Sequence, residues 1–214
     1  MSKWNKNQMI LFVIMLLGNL IIGVGIAIQT LANLGIEPGM TFFYGMSSVF
    51  GIPLGVATLL FNCIFFIPLV LFDRKRIGIA TIINMFCIGF IVDFCTSTFL
   101  ANIEITSLAM RIIIMIIGIL LQTFGVALYS SSNMGQSPLD GIPNVLVKVT
   151  HRMSYRFYRV LQDTILTLIG FFCGIQIGIG TLMLMFMVGP FIHFFQQKIE
   201  KVLTQKEIVT TISK

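Results

Sequence analysis

Asn33-Leu34-Gly35-Ile36-Glu37-Pro38-Gly39-Met40 and Asn133-Met134-Gly135-Gln136-Ser137-Pro138-Leu139-Asp140 stand 100 residues apart and share one pattern, Asn-x-Gly-x-x-Pro. Around them the register holds without a gap from residue 18 to 95 and again from 118 to 195. Gly18, Gly25 and Ala27 return as Gly118, Gly125 and Ala127. Ile77-Gly78-Ile79 with Thr81, Met85, Phe86, Gly89 and Phe94 returns as Ile177-Gly178-Ile179 with Thr181, Met185, Phe186, Gly189 and Phe194. The chain is two copies of one unit. Chance identities are frequent where Ile, Leu, Phe and Gly abound, so the weight rests on the two spaced patterns falling in one register.

Composition places those copies in a membrane. Hydrophobic residues make up 57% and charged residues 10%, and mean hydropathy is +0.97; soluble domains carry about a quarter charged residues. The net charge of +6 is gathered in short clusters between apolar spans, which fits lipid head groups and membrane orientation and excludes a nucleic-acid partner. Long repeats in such a chain point to transport.

Six apolar spans are expected, over 9–31, 54–72, 77–100, 108–130, 157–175 and 177–195, each near the roughly 20 residues that cross a bilayer. Between the first and second, and between the fourth and fifth, lie 39–50 and 139–150. As helices of about 18 Å they cannot cross alone. Each follows a Gly and Pro pair that ends one helix and presets the next. They are read as half-length helices, either re-entrant or interfacial.

If the half-helices do not cross, each copy has three spans and the second enters the membrane upside down. With Lys3 and Lys6 in the cytoplasm, Asp73-Arg74-Lys75-Arg76, then Lys148, Arg152, Arg156 and Arg159, and finally Lys198, Lys201, Lys206 and Lys214 all fall inside, while Glu104 lies outside. Arg111 alone is a basic residue on the outer side. Four parallel spans per copy would put one basic cluster outside, so the positive-inside rule favours three plus three. The expectation is an all-α polytopic transmembrane bundle of two inverted repeats, repeat 1 about 9–100 and repeat 2 about 108–197, with a cytoplasmic tail 198–214. All form a single membrane domain, 1–214. The first span exceeds a signal core and lacks a cleavage pattern after it, so it is expected to be retained.

The break segments are the first candidates for solute binding: Asn33, Gly35, Glu37 and Pro38, with Asn133, Gly135, Ser137, Pro138 and Asp140. A helix N-terminus presents free N–H groups and partial positive charge that suit an anionic group, and broken helices are where repeat transporters bind cargo. Helix capping by Asp140 and termination by Asn and Gly account for the same residues. Ionisable groups within spans are costly and commonly face a partner or cavity. Asp93 has Arg111 as an expected partner, Asp163 has Arg159 four residues earlier on one helix face, and His193 occupies the repeat position of Asp93, near a span end. Asn62 and Gln162 occupy equivalent positions, and with Asn84 are polar groups that tie helices together.

Cys63, Cys87, Cys95 and Cys173 lie within spans with no Cys-x-x-Cys spacing and read as packed apolar groups, so neither metal nor other cofactor is expected. No Gly-x-x-x-x-Gly-Lys-Ser/Thr, His-Glu-x-x-His or Gly-x-Ser-x-Gly motif occurs, and neither His151 nor His193 has a neighbouring nucleophile, which argues against an enzyme. Gly23-x-x-x-Ala27 offers a close-packing surface for internal packing, a homodimer or a partner membrane subunit.

The Gly-x-Gly-x-Ala run, the Asn133, Gly135, Pro138, Asp140 pattern, and Gly178-Ile179-Gly180-Thr181 with Gly189-Pro190 resemble the YczE/YyaS/YitT family of bacterial membrane proteins over nearly the whole chain. Leu139 stands where family members often carry Trp, and Pro38-Gly39-Met40 lacks the acid that Asp140 supplies in the second copy. The resemblance implies a multi-span protein of the bacterial inner membrane. The residues and the repeat together lead to the expectation of a secondary transporter or exporter of a small organic solute with both termini cytoplasmic. The alternative is a non-transporting membrane subunit, a substrate-capture or assembly component.

Overall fold

The chain reverses at each Asn-x-Gly-x-x-Pro. In the computed structural model, which describes residues 5–205, Asn33 (φ 48°) and Asn133 (φ 52°) take the left-handed conformation that closes a helix, and Gly35 (φ 107°) and Gly135 (φ 131°) adopt values a side chain would oppose. Pro38 and Pro138 then open the next helices, where their missing N–H costs nothing. Among the described residues the order is α1 (Lys6–Ala32), α2 (Pro38–Phe50), α3 (Leu54–Phe72), a 3₁₀ turn (Arg74–Arg76), α4 (Ile79–Phe94) prolonged by a π turn (Cys95–Phe99), α5 (Leu108–Ser131), α6 (Pro138–Thr150), α7 (Tyr155–Phe172) and α8 (Ile179–Gln205). Lys3, Lys206 and Lys214 lie outside the described residues.

Five helices, α1, α3, α4 with its π turn, α5 and α8, are long and apolar enough to cross a membrane. The fifth expected span is corrected in character: α7 has 18 residues, about 27 Å, but carries Arg156, Arg159 and Asp163, and Asp163 is buried within the bundle. Elsewhere the polarity runs inside out relative to a soluble fold. Leu16, Leu20, Ile113, Ile117 and Phe186 face outward, while Asn19, Gln29, Asn62, Asn84, Gln122 and Thr181 are buried. Lipid is the solvent that permits this distribution.

α1 and α5 form the axis of the molecule and run in opposite directions. Gly18 lies on the backbone of Gly125 and Tyr129, and Gly25 on that of Gly118 and Gln122. The missing side chains let the two backbones touch, which compensates for the weak hydrophobic drive between helices in lipid. Gly23 meets Ile91 of α4 and Ala27 is fully buried, so the Gly23-x-x-x-Ala27 surface is used for packing within the chain.

The two recurring patterns bind one another across the copies. Gly180 N–H donates to Leu34 O at 2.8 Å, and Ala80 N–H donates to Met134 O at 3.0 Å. A Cβ at Gly178 would come within 1.9 Å of Leu34 O, and one at Gly78 within 1.9 Å of Met134 O. Asn-x-Gly in one copy therefore requires Ile-Gly-Ile-x-Thr in the other, which is why both return in one register.

The half-helices enter the bundle by their first turns. Gly170 of α7 packs on Thr41 of α2, and Gly141 of α6 on Leu69 of α3. Their N-terminal turns, Pro38 to Phe43 and Pro138 with Leu139, are buried, while Val49, Phe50 and Val149 at the far ends are exposed. Leu139 reaches Gly39, so the two N-termini meet inside the bundle. Lys148 at the end of α6 donates to Phe72 O at 2.6 Å and Asp73 at 3.2 Å, which sets the basic segments 73–76 and 148–156 at one end of the molecule.

Candidate functional site

Four charges converge where the half-helices meet. Glu37 immediately precedes α2 and Asp140 lies in the first turn of α6, so each N-terminus already has a carboxylate of its own chain beside it. From α7, Arg159 reaches Asp140 at 2.5 Å, Asp163 at 3.1 Å and Glu37 at 3.9 Å. The guanidinium fork can serve several carboxylates at once because its N–H groups point in fixed, separate directions. Glu37 is held from the other side by a chain of amides: Gln29 Nε2 donates to Gln122 Oε1 at 2.7 Å, and Gln122 Nε2 donates to Glu37 Oε2. Gln29 and Gln122 are both buried, so the pair fixes α1 to α5 and aims α5 at the acid.

A small cavity of about 70 Å³ lies between the half-helices, walled by Glu37, Asp140, Asn62, Gln122, Tyr129 and Ser137 among others. A wider groove of about 360 Å³ begins at the same Glu37 and Asp140 and runs between α7 and α8 past Tyr155, Arg159, Asp163, Gly189 and His193. The groove exists because the copies differ. In the first, α4 packs along α3: Gly89 sits on Thr58 and Gly55, and Gly55 N–H donates to Asp93 Oδ2 at 2.8 Å. In the second, α8 packs on α5 and barely touches α7, and a side chain at Gly189 would meet nothing within 4 Å. The α3–α4 seam is shut and the α7–α8 seam open.

Comparison with known sequences adds a family. The profile of a family of unknown function, DUF6198, matches residues 9–197. The chain belongs to that family. It is similar to an uncharacterised protein of Haemophilus influenzae, 28% identical over 178 residues, 82% of this chain and 78% of the relative. It is also similar to the uncharacterised protein YyaS of Bacillus subtilis, 25% identical over 185 residues, 86% of this chain and 92% of the relative. The uncharacterised membrane protein YczE of the same organism is 27% identical over 174 residues, 80% of this chain and 78% of the relative. The YczE/YyaS resemblance is therefore shown. No solved structure matches.

Within this DUF6198 chain the expected site residues separate into groups. Glu37, Ser137 and Asp140 border the cavity, and Pro38, Asp163 and His193 line the groove. Asn33, Gly35, Asn133 and Gly135 instead form the loop crossings, and Pro138 is buried at the start of α6. Asn62 borders the cavity, whereas its repeat partner Gln162 donates to Leu139 O at 3.0 Å. Asn84 also borders the cavity and donates to Asn19 Oδ1 at 2.9 Å, tying α4 to α1. Three expectations are corrected. Asp93 pairs with the Gly55 N–H, not with Arg111, which caps α1 through Ala32 O at 2.7 Å and through Asn33 O. Asp140 holds Arg159 rather than capping α6. The half-helix N-termini, read as a seat for an anionic group, already have Glu37 and Asp140 beside them, though neither makes a cap hydrogen bond. Sequence reasoning took Arg159 as one of the inner basic residues and as a local partner of Asp163, and passed over Gln122. Each is a polar side chain on an apolar helix, and that was the available signal.

Proposed function

We propose that this membrane protein is a secondary transporter or exporter of a small organic solute. Its two copies lie inverted in the membrane, each with three spans and one re-entrant half-helix. The observation that carries the reading is the unequal pair of seams around one charged cluster. Equivalent helix pairs are shut in one copy and open in the other, and exchanging those states would move access to the cluster from one end of the molecule to the other. The open groove leads toward the end that bears Lys148 and Arg152. With basic loops on the cytoplasmic side, that end faces the cytoplasm of a bacterial inner membrane, both termini lie there, and α7 is the third span of its copy despite its charges. The reading assigns the protein no catalysis and no cofactor.

Flux tests it. Reconstituted in liposomes, the protein is expected to carry at least one small solute faster than empty liposomes do; a solute that binds tightly and never crosses would overturn the proposal. The arrangement in the membrane has a separate test. Single cysteines at Lys75 and Arg152, in a chain freed of its four native cysteines, should both resist an impermeant label until cells are opened, whereas labelling from opposite sides would make the copies parallel.

A second reading rests on the loosely packed α8, whose outward Ile179 and Phe186 are 75% and 72% exposed. In that case the chain is a non-transporting capture or assembly subunit, and a partner membrane helix seats against α8. Purification in mild detergent separates the readings, since a stoichiometric foreign subunit favours the second and a monomer or homodimer the first.

A further inference from the structure

The charged cluster carries more negative charge than it can balance from within. Glu37, Asp140 and Asp163 supply three carboxylates against the one guanidinium of Arg159, and the N-termini of α2 and α6 add about half a positive charge each. About one negative charge is left over. The other titratable groups that face Glu37 are Tyr129 on α5, Tyr155 on α7 and His193 across the groove on α8. Around the cavity α1, α2, α3 and α4 present hydrocarbon, hydroxyls and amides. The surplus matches one proton or one monovalent cation.

A second observation is independent of charge. Asn62 is 4% exposed, borders the same cavity as Glu37 and Asp140, and its Oδ1 has no hydrogen-bond partner. A buried carbonyl oxygen without a donor is rare and costly, and calls for a ligand that brings one. The cavity has room for a few waters or one compact ion. Among the described residues no three of His, Cys, Asp and Glu are grouped as metal ligands are, and the N–H groups of a small organic ion would supply the missing donor.

Glu37 differs from the other two acids. Asp140 and Asp163 make direct contacts with Arg159, while Glu37 stands off at 3.9 Å; like Asp140 it borders both the cavity and the groove. We propose that the solute is a small organic cation with N–H donors, an ammonium or guanidinium ion, which binds between Glu37, Asp140 and Asn62 Oδ1 in exchange for a proton held by Glu37. The ion enters, one proton leaves the carboxyl for the groove, and the net charge of the site is unchanged. This rests on reading the cavity as a solute site and adds the sign of the solute and the ion exchanged for it.

Guanidinium is the probe, being permanently charged and rich in donors. With the full-length protein in weakly buffered detergent at pH 6, about one proton is expected to be released per guanidinium bound, with binding about tenfold tighter at pH 8 than at pH 6 through proton linkage. Glu37→Gln should abolish proton release and flatten the pH profile. Asn62→Leu, which does not touch the acid, should weaken binding about tenfold while keeping one proton per ion. Binding without proton release, or no binding by the wild type at millimolar guanidinium at either pH, overturns the inference. Liposome flux separates the two proposals. Carriage of mannitol or succinate but not guanidinium removes the cation and leaves the transporter. Guanidinium binding with proton release but no flux keeps the cation and removes the transporter.

Discussion

At the residue scale the molecule depends on a few positions whose neighbours leave no alternative. Arg159 is the sole cation in contact with Glu37, Asp140 and Asp163 among the described residues. Arg159→Leu strands three carboxylates and is expected to destabilise by about 3–5 kcal/mol, the cost of breaking a buried ion pair by removing one partner. Arg159→Lys keeps the charge, loses the fork and should fall between. Thermal midpoints in detergent read both, and a wild-type midpoint for Arg159→Leu would remove the cluster from the structural account. The glycines divide the same way. Gly178→Ala places a Cβ within 1.9 Å of Leu34 O and Gly78→Ala one within 1.9 Å of Met134 O, whereas Gly189→Ala meets nothing. The first two should cost more than about 2 kcal/mol; the third should be neutral or stabilising by up to about 1 kcal/mol from helix propensity. The repeat made these glycines legible in the sequence because identical backbone crossings demand identical small residues. Of the acid–base contacts only the local Arg159–Asp163 pair was legible, from its four-residue spacing. Asp93 and Arg111 are near in chain order, but their partners come from α3 and α1, and packing decides such contacts.

At the element scale the half-helices show what patterns can and cannot decide. Gly35 with Pro38 and Gly135 with Pro138 announced two short helices, since no other residues so cheaply end one helix and start the next. Whether they lie on the surface or enter the bundle depended on α7 and α3 receiving their buried first turns, a tertiary matter with no local signature. The exit of α6 is pinned by Asp73, which takes Arg76 Nε at 2.7 Å and Lys148 Nζ at 3.2 Å. Burial pushes the Asp73 carboxyl up, but the hydrogen bonds and charges of Lys148 and Arg76 outweigh it and hold the group below the ordinary carboxylate range. A carboxylate depressed on folding contributes stability that is complete above its unfolded value, near ~4, and is lost as pH falls through its lower folded value. Acid unfolding of the wild type should therefore steepen below about pH 4. Asp73→Asn should remove that component and lower stability at pH 7 by about 1 kcal/mol, since both cationic partners are half exposed. An unchanged acid profile in Asp73→Asn would show that the junction between α3 and α6 is held by packing alone.

At the scale of the whole molecule, equivalent stretches of the two copies occupy unequal states. The repeat would predict the same packing in each copy, yet Gly55 bonds Asp93 across the α3–α4 seam while their counterparts, Tyr155 and His193, face one another across an open groove. One asymmetry is built into the helices, for α4 ends in a π turn at Cys95–Phe99 and α8 continues as a regular helix to Gln205. A π turn shifts the register of the residues beyond it and is frequent where helices must reposition. If the seams alternate, α8 closes on α7 in the other state and brings residue 193 toward residue 155, as residue 93 now meets residue 55. Cysteines at Tyr155 and His193, in a chain without Cys63, Cys87, Cys95 and Cys173, test the motion directly. The pair should form a disulfide slowly at rest and faster during turnover, flux should stop as the bond forms, and a reductant should restore it, while each single cysteine keeps its flux in oxidant. Persistent flux through a fully oxidised pair would mean that this seam is not the gate. A pair that never oxidises while solute still crosses would mean that α7 and α8 do not approach, and access would have to alternate by opening the α3–α4 seam alone.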